Sequence, residues 1–420
     1  MAYQPRLLAV IMAGGKGSRL HPLTRDRAKP AVPFAGRYRI IDFVLSNMHN
    51  SGIRSIYVLT QYKAQSLVEH VQRAWGTRTT SHLDFVTIVP AQMRMSETWY
   101  RGTADAVYQN LYLLEDFRPE AVLVFGADHV YKMNVRQMVD FHRERDAVAT
   151  VACLPIPVGE ASQFGIVQTE ADGRIVGFQE KPERDVVTMP GDPTQALASM
   201  GNYIFAPRPL IEALATDADS ESHHDFGRNV IPALLNTGRV YAYDFSLNRI
   251  PGVTDSGEHG YWRDVGTIEA YYEANMDLKN VVPRFNLYNW EWPILSANYP
   301  DPPSKTVFDD AQRRGMVLQS IMSPGCVVTG GFVKDSVLGR NVWIEEGADV
   351  RDSILFDNVY VGKGARVERA IVDKNVHISD GDYVGCHDVT REALQCHLSD
   401  NGITVVPKAR ETWLTRARDF

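Results

Sequence analysis

The last quarter of the chain repeats itself every seventeen residues. Val333, Val350, Val367 and Val384 form one series. Five others run in phase: Val337, Ile354, Ile371; Asn341, Asn358, Asn375; Val342, Val359, Val376; Ile344, Val361, Ile378; and Gly347, Gly364, Gly381. Within a period, as in "ADVRDSILFDNVYVGKGARV", apolar residues recur about every six positions, with Gly or Asn at the corners. Three short strands per turn are each too thin to bury a face alone, so successive coils must stack, which is the parallel β-helix. Hairpins of a β-sandwich would not keep a strict period.

The preceding residues follow another rhythm. Leu7–Met12, Ile53–Leu59, Phe85–Val89 and Ala121–Phe125 read as apolar strands. They alternate with helical patterns over Ala64–Trp75, Thr103–Leu114 and Val135–His142. Such alternation predicts an α/β domain with a mostly parallel sheet and ligands at the carboxyl ends of its strands. The pattern stops near Val281, where Pro283, Pro293, Pro300, Pro302 and Pro303 restrict both helix and sheet. Trp290 and Trp292 lie in the same stretch and predict that it is packed. A chain of 420 residues also exceeds the span of one usual core, about 250–300 residues. The expected domains are 1–280 for catalysis, 281–305 as linker and 306–420 as β-helix.

Positive charge is focused in one place. Lys16, Arg19, Arg25, Arg27, Lys29, Arg37 and Arg39 face one acid, Asp26, whereas the whole chain carries a net charge of −7. A short cationic stretch suits a small polyanion in a cleft, and nucleic acid would need a broader basic face. No apolar run is long enough to span a bilayer, so no membrane role is expected. Four cysteines, Cys153, Cys326, Cys386 and Cys396, make no disulfide framework and point to the cytoplasm. The pairs Cys386-His387 and Cys396-His397 match no common zinc spacing.

The cationic stretch opens with "AGGKGSRL" directly after the first strand. It lacks the P-loop spacing, and Leu20 stands where a dinucleotide fold would have its third glycine. What remains is Gly14, Gly15, Gly17 and Ser18, whose backbone N–H groups can approach phosphate oxygens, followed by Arg19 and Lys29. That combination suits a triphosphate tail.

The segment "MAGGKGSRLHPLTRDRAKPAVPFAGRYRIIDFVLSNMHNSGI" resembles the signature of the nucleotide-sugar pyrophosphorylases, and "RAKPAV…RIIDF" that of their bacterial glucose-1-phosphate adenylyltransferase branch. "WYRGTADAVYQN", "DHVYKM", "FGIV", "EKP", "ASMGNYIF", "DFGRNVIP" and "YWRDVGTIEAYYEAN" follow in the family's order. The resemblance implies a Rossmann-like nucleotidyltransferase domain followed by a left-handed parallel β-helix. It implies the reaction of ATP with α-D-glucose 1-phosphate to ADP-glucose and diphosphate, as the committed step of glycogen synthesis. Arg19 and Lys29 would then meet the nucleotide phosphates, and Asp128 and Asp264 would carry Mg²⁺. Tyr100, Gly165, Glu180, Lys181 and Ser199 would line the glucose 1-phosphate pocket.

Residue chemistry is compatible with these roles. Asp128 follows an apolar strand, where a carboxylate can bridge a hard cation to phosphates. Asp264 precedes a helical pattern starting near Thr267, so helix capping competes with metal binding. Pro182 predicts an extended backbone at Lys181.

The resemblance further implies an allosteric homotetramer taking a small anionic effector, with Arg27, Arg39 and Lys374 as candidate contacts. Members that answer to sugar bisphosphates often have lysine where Asp26 stands, and an acid there would repel phosphate. Fructose 1,6-bisphosphate is therefore not the expected main activator. Rival readings are a GDP-mannose or UDP-sugar enzyme of the same kind, a non-catalytic regulatory homologue, and a hexapeptide acyltransferase.

Overall fold

A computed structural model of the chain describes residues 5–76, 78, 84–92, 99–253, 258–310, 313–385 and 395–409. Cys386 and His387 lie outside the described residues. The chain divides into two compact units that do not follow chain order. Met1–Gly15, Phe43–Trp262 and Tyr288–Leu295 form the first; Lys16–Asp42, Arg263–Leu287 and Ser296–Phe420 form the second.

A nine-stranded sheet centres the first unit. Four strands are parallel, in the spatial order Ala121–Gly126, Leu7–Met12, Ser55–Thr60, Phe85–Pro90. Leu7–Met12 and Ala121–Gly126 read as unbroken apolar runs because they are buried along nearly their whole length. Beyond them the sheet changes sense. Gln195–Phe205 runs antiparallel to Ala121–Gly126, to Ala149–Pro157 and to Gly165–Thr169. Here strands follow one another without an intervening long helix, and Gly165–Thr169 returns directly as Ile175–Glu180.

The helix expected over Thr103–Leu114 arrives as two, Thr103–Tyr108 and Leu111–Phe117. The break falls at Asn110, whose side-chain amide donates to the Ala106 carbonyl at 2.8 Å and to the Tyr100 hydroxyl at 2.9 Å. In the proline-rich stretch Trp292 is 4% exposed, with its indole N–H donating to Asn47 Oδ1 at 3.3 Å. Trp290 is 88% exposed, so only one of the two tryptophans is packed.

The second unit contains a left-handed parallel β-helix. Val333, Val350, Val367 and Val384 pair in register, as do Val337, Ile354 and Ile371, and all of them are buried. The first coils depart from the period: Lys305 pairs with Val327, twenty-two residues on, whereas Met316 pairs with Phe332 and Val327 with Trp343, a step of sixteen. At one corner Asn341, Asn358 and Asn375 take φ of 56°, 61° and 61°. Their amides form a ladder, donating at 3.5 Å from Asn341 to Asn358 and at 3.0 Å from Asn358 to Asn375.

The remaining segments of this unit pack on the coils. The Tyr271 hydroxyl donates to the Pro33 carbonyl, and that of Tyr272 to the Asp352 carbonyl at 2.6 Å. Tyr271 meets Phe34 and Phe356 edge-on, with ring centroids 5.9 Å and 6.3 Å away. Among the described residues, no helix is long and apolar enough to cross a membrane.

Candidate active site

Arg19, Lys29 and Asp264 come together within the second unit. Gly17 takes φ 61°, and a Cβ there would lie 2.9 Å from the Lys29 Cβ, so only glycine lets the loop close this tightly. The Thr24 hydroxyl fixes the bend by donating to the Gly17 carbonyl at 2.9 Å. Ser18–Leu20 forms one tight turn, anchored by buried Leu20. Lys29 is buried, and its Nζ lies 2.7 Å from Asp264 Oδ1. Arg19 approaches the other oxygen, Oδ2, at 3.4 Å while its side chain stays 66% exposed. The helix Ile268–Asp277 is capped by the Thr267 hydroxyl, which accepts from the Ala270 N–H at 3.2 Å. Capping thus falls to Thr267 and leaves the Asp264 carboxylate to the two cations.

Gly14, Gly15 and Asp128 belong to the first unit, at the carboxyl ends of neighbouring parallel strands. Met12 pairs with Gly126, and the Ala127 N–H donates to the Met12 carbonyl at 3.1 Å. Asp128 Oδ1 lies 3.3 Å from His129 Nδ1, and the His129 ring packs on Trp262 at 4.7 Å. The Asp128 carboxylate is 42% exposed and that of Asp264 25%. Each offers hard oxygen ligands with access to solvent, a donor type that fits a hard divalent cation.

The five residues expected around the sugar phosphate all fall in the first unit. Gly165 and Glu180 are directly paired on antiparallel strands. Burial, with the nearby Asp225 charge, raises the Glu180 carboxyl above its ordinary value. Lys181 takes φ 49° rather than the extended form, because its N–H turns back to the Phe164 carbonyl at 3.0 Å. Its ammonium lies 3.9 Å from Glu180 Oε1 and is more than half exposed. Ser199 sits where the strand Gln195–Phe205 bulges, its hydroxyl accepting from the Gly201 N–H at 3.3 Å. Tyr100 is held by Asn110, and burial raises its phenol. Asn110, Asp225 and Gly227 lie inside the matched motifs, yet sequence reading gave them no role; the polar residue breaking a helical run at Asn110 was the available signal.

Of the effector candidates, Arg39 and Lys374 line one small pocket of the second unit together with Arg37, Tyr299, Arg340 and Asp357. Lys374 Nζ lies 2.6 Å from Asp357 Oδ2. Burial, reinforced by Arg39, pushes the Lys374 ammonium down to about 8. Burial also lowers the Arg39 guanidinium. Arg27 stands apart from this pocket, buried in a two-pronged pair with Asp373 at 2.9 and 3.0 Å. Asp26 pairs with Arg25 at 3.0 Å.

The model of the nucleotidyl transferase family matches residues 8–281, and that of the GlmU-like C-terminal hexapeptide matches 302–406. A glucose-1-phosphate adenylyltransferase of Anaeromyxobacter sp. (strain Fw109-5) is 52% identical over 408 residues, covering 96% of this chain and 98% of its own. Those of Anaeromyxobacter dehalogenans and Thermus thermophilus are 56% and 55% identical, each covering 80% of this chain and 82% of their own. Nucleotidyltransferases of this kind use a divalent metal. With both parts matched and relatives this similar along nearly its whole length, the chain belongs to the nucleotidyl transferase family, in its glucose-1-phosphate adenylyltransferase group.

Proposed function

We propose that the chain transfers the adenylyl group of ATP to α-D-glucose 1-phosphate, forming ADP-glucose and diphosphate. The observation that carries this reading is the meeting of Arg19 and Lys29 on Asp264, two cations and a metal-type carboxylate beside a glycine turn. Gly14, Gly15, Gly17 and Ser18 present N–H groups to the departing diphosphate, while Arg19 and Lys29 neutralise charge on the phosphate under attack. Asp128 and Asp264 would hold Mg²⁺, which when bound would supply further charge neutralisation on the triphosphate.

A phosphate monoester has a second pKa of about 6, so the attacking oxygen is already anionic at neutral pH and needs no general base. The remaining task is alignment. Lys181 faces the sugar phosphate, and Glu180, Tyr100, Gly165 and Ser199 orient the glucose ring.

In this reading 1–280 is the catalytic domain, 281–305 the linker and 306–420 the domain for assembly and regulation. A homotetramer in the cytoplasm performs the committed step of glycogen synthesis. A small anionic effector is held by Arg39 and Lys374; Arg27, the third candidate contact, is engaged by Asp373 instead and does not line that pocket. Initial rates of the purified chain with Mg²⁺, glucose 1-phosphate and each of ATP, GTP, UTP and CTP test the assignment. ATP is the expected substrate. Preference for GTP or UTP would support the rival sugar-nucleotide reading, and no turnover with any would make the chain a regulatory homologue.

A further inference from the structure

Ser222 and Asp217, both half-buried, surround the buried His224 in a cluster of the first unit that the reaction above does not use. His224 Nδ1 lies 2.9 Å from Asp217 Oδ2, and the Ser222 hydroxyl donates to Asp217 Oδ1 at 2.7 Å. The same hydroxyl accepts from the His224 backbone N–H at 2.9 Å and lies 3.2 Å from Nδ1. A hydrolytic triad puts serine and aspartate on opposite ring nitrogens. Here both approach Nδ1, so the cluster holds the ring in place and activates no nucleophile.

What is held is an unusual stretch of backbone. His224 has φ 49°, a conformation that non-glycine residues seldom adopt. Its carbonyl then points at the neighbouring segment and accepts from the Ala104 N–H at 2.8 Å. The two backbones touch: a Cβ on Gly102 would lie 2.2 Å from the His224 carbonyl oxygen and 2.4 Å from that of His223. A second tie follows immediately. The Thr103 hydroxyl donates to Asp225 Oδ2 at 3.0 Å and accepts from the Phe226 N–H at 3.2 Å. Asp225 Oδ1 caps the next turn by accepting from the N–H groups of Gly227 and Arg228 at 2.9 and 3.1 Å.

Both tied segments lead to the sugar-phosphate residues. Tyr100 stands two positions before Gly102. At the other end, a Cβ on Gly227 would lie 3.2 Å from Glu180 Oε2 and 3.1 Å from Phe178 Cζ. We infer that His224 is a positioning residue for glucose 1-phosphate, clamping the segment that carries Tyr100 to the turn against which the Glu180 carboxylate rests. This inference relies on the reading of Glu180 as a sugar-phosphate residue. It makes no use of the cations that serve ATP.

Steady-state kinetics of full-length His224→Ala, His224→Gln, His224→Asn and Ser222→Ala test it. Asparagine carries an amide nitrogen on the same Cγ as Nδ1 and tolerates left-handed backbone, whereas glutamine moves the amide one carbon outward. His224→Ala and His224→Gln are expected to raise KM for glucose 1-phosphate about tenfold with KM for ATP within about twofold, and His224→Asn to recover most of the loss. Ser222→Ala, which keeps the histidine, raises the same KM about two- to threefold. The clamp is overturned if His224→Asn is as impaired as His224→Ala, or if both KM values rise together. It is equally overturned if His224→Ala fails to fold while Ser222→Ala is unchanged. Glu180→Gln separates the two ideas: a raised KM there beside an unaffected His224→Ala rejects the clamp alone, and an unaffected Glu180→Gln rejects the sugar-phosphate reading itself.

Discussion

Lys374 would give the proposed effector pocket a dependence on pH. Desolvation lowers its ammonium to about 8, Arg39 adds repulsion, and Asp357 partly offsets both. The charge is present below that value and lost above it. An anion bound in this pocket is therefore expected to bind more weakly as pH rises from 7 to 9, measured as the effector concentration for half-maximal activation. Lys374→Arg, charged throughout, should flatten that dependence. An unchanged pH profile in Lys374→Arg would reject the pocket as the effector site. Free energy runs the other way. Between the folded value of about 8 and the ordinary value of 10.5 the unfolded chain holds more protons, so this group's contribution to stability rises with pH across that window. At Gly17 the constraint is steric. Gly17→Ala must adopt φ 61° with its Cβ 2.9 Å from that of Lys29, and should cost about 1–2 kcal/mol in denaturant melts and lower kcat by displacing Lys29.

Elements differ in how far their sequences announce them. The β-helix was legible because six series had to coincide for the coils to stack, and the paired residues Val333 and Val350, or Val337 and Ile354, are those of the repeat. The irregular first coils were not, since steps of twenty-two and sixteen residues make no series with the rest. Parallel strands such as Leu7–Met12 were clear from continuous apolar runs; the antiparallel half around Gln195–Phe205 was not, because its partners are set by tertiary pairing over long separations. The split at Asn110 escaped for a related reason: helical periodicity continues across it, and the competing hydrogen bonds to Tyr100 and Ala106 exist only in the fold. Arg19, Lys29 and Asp264 could be named from motifs, but their convergence on one carboxylate could not. The asparagine corner is the most testable element. Asn358→Ala leaves a non-glycine residue at φ 61° and removes both rungs, for an expected loss of about 1–2 kcal/mol. Asn358→Gly should recover the backbone part of it, and equal losses in both variants would contradict this account of the corner.

At the scale of the whole molecule, the cationic loop and the β-helix belong to one compact unit although some 260 residues separate them in sequence. Arg27 reaches Asp373, Lys279 reaches Asp335 at 2.9 Å, and Tyr272 reaches the Asp352 carbonyl. Removing residues 296–420 takes away all three partners and leaves the Arg27 guanidinium without its buried counter-charge, a strongly destabilising change. A chain ending at Leu295 is therefore expected to lose adenylyl transfer along with a cooperative thermal transition, even though the motifs of catalysis all precede that point. Full turnover by such a fragment would show that the loop is shaped without the coils.

The central claim is that cations of the glycine turn stabilise charge at the phosphate under attack. Arg19 is the residue on which to test it, because its side chain is 66% exposed and its removal leaves the packed loop intact. In pyrophosphorolysis of ADP-glucose by Arg19→Ala, with an unchanged melting transition, kcat is predicted to fall by about 10²–10³-fold. Turnover within about threefold of the unsubstituted enzyme would contradict the account.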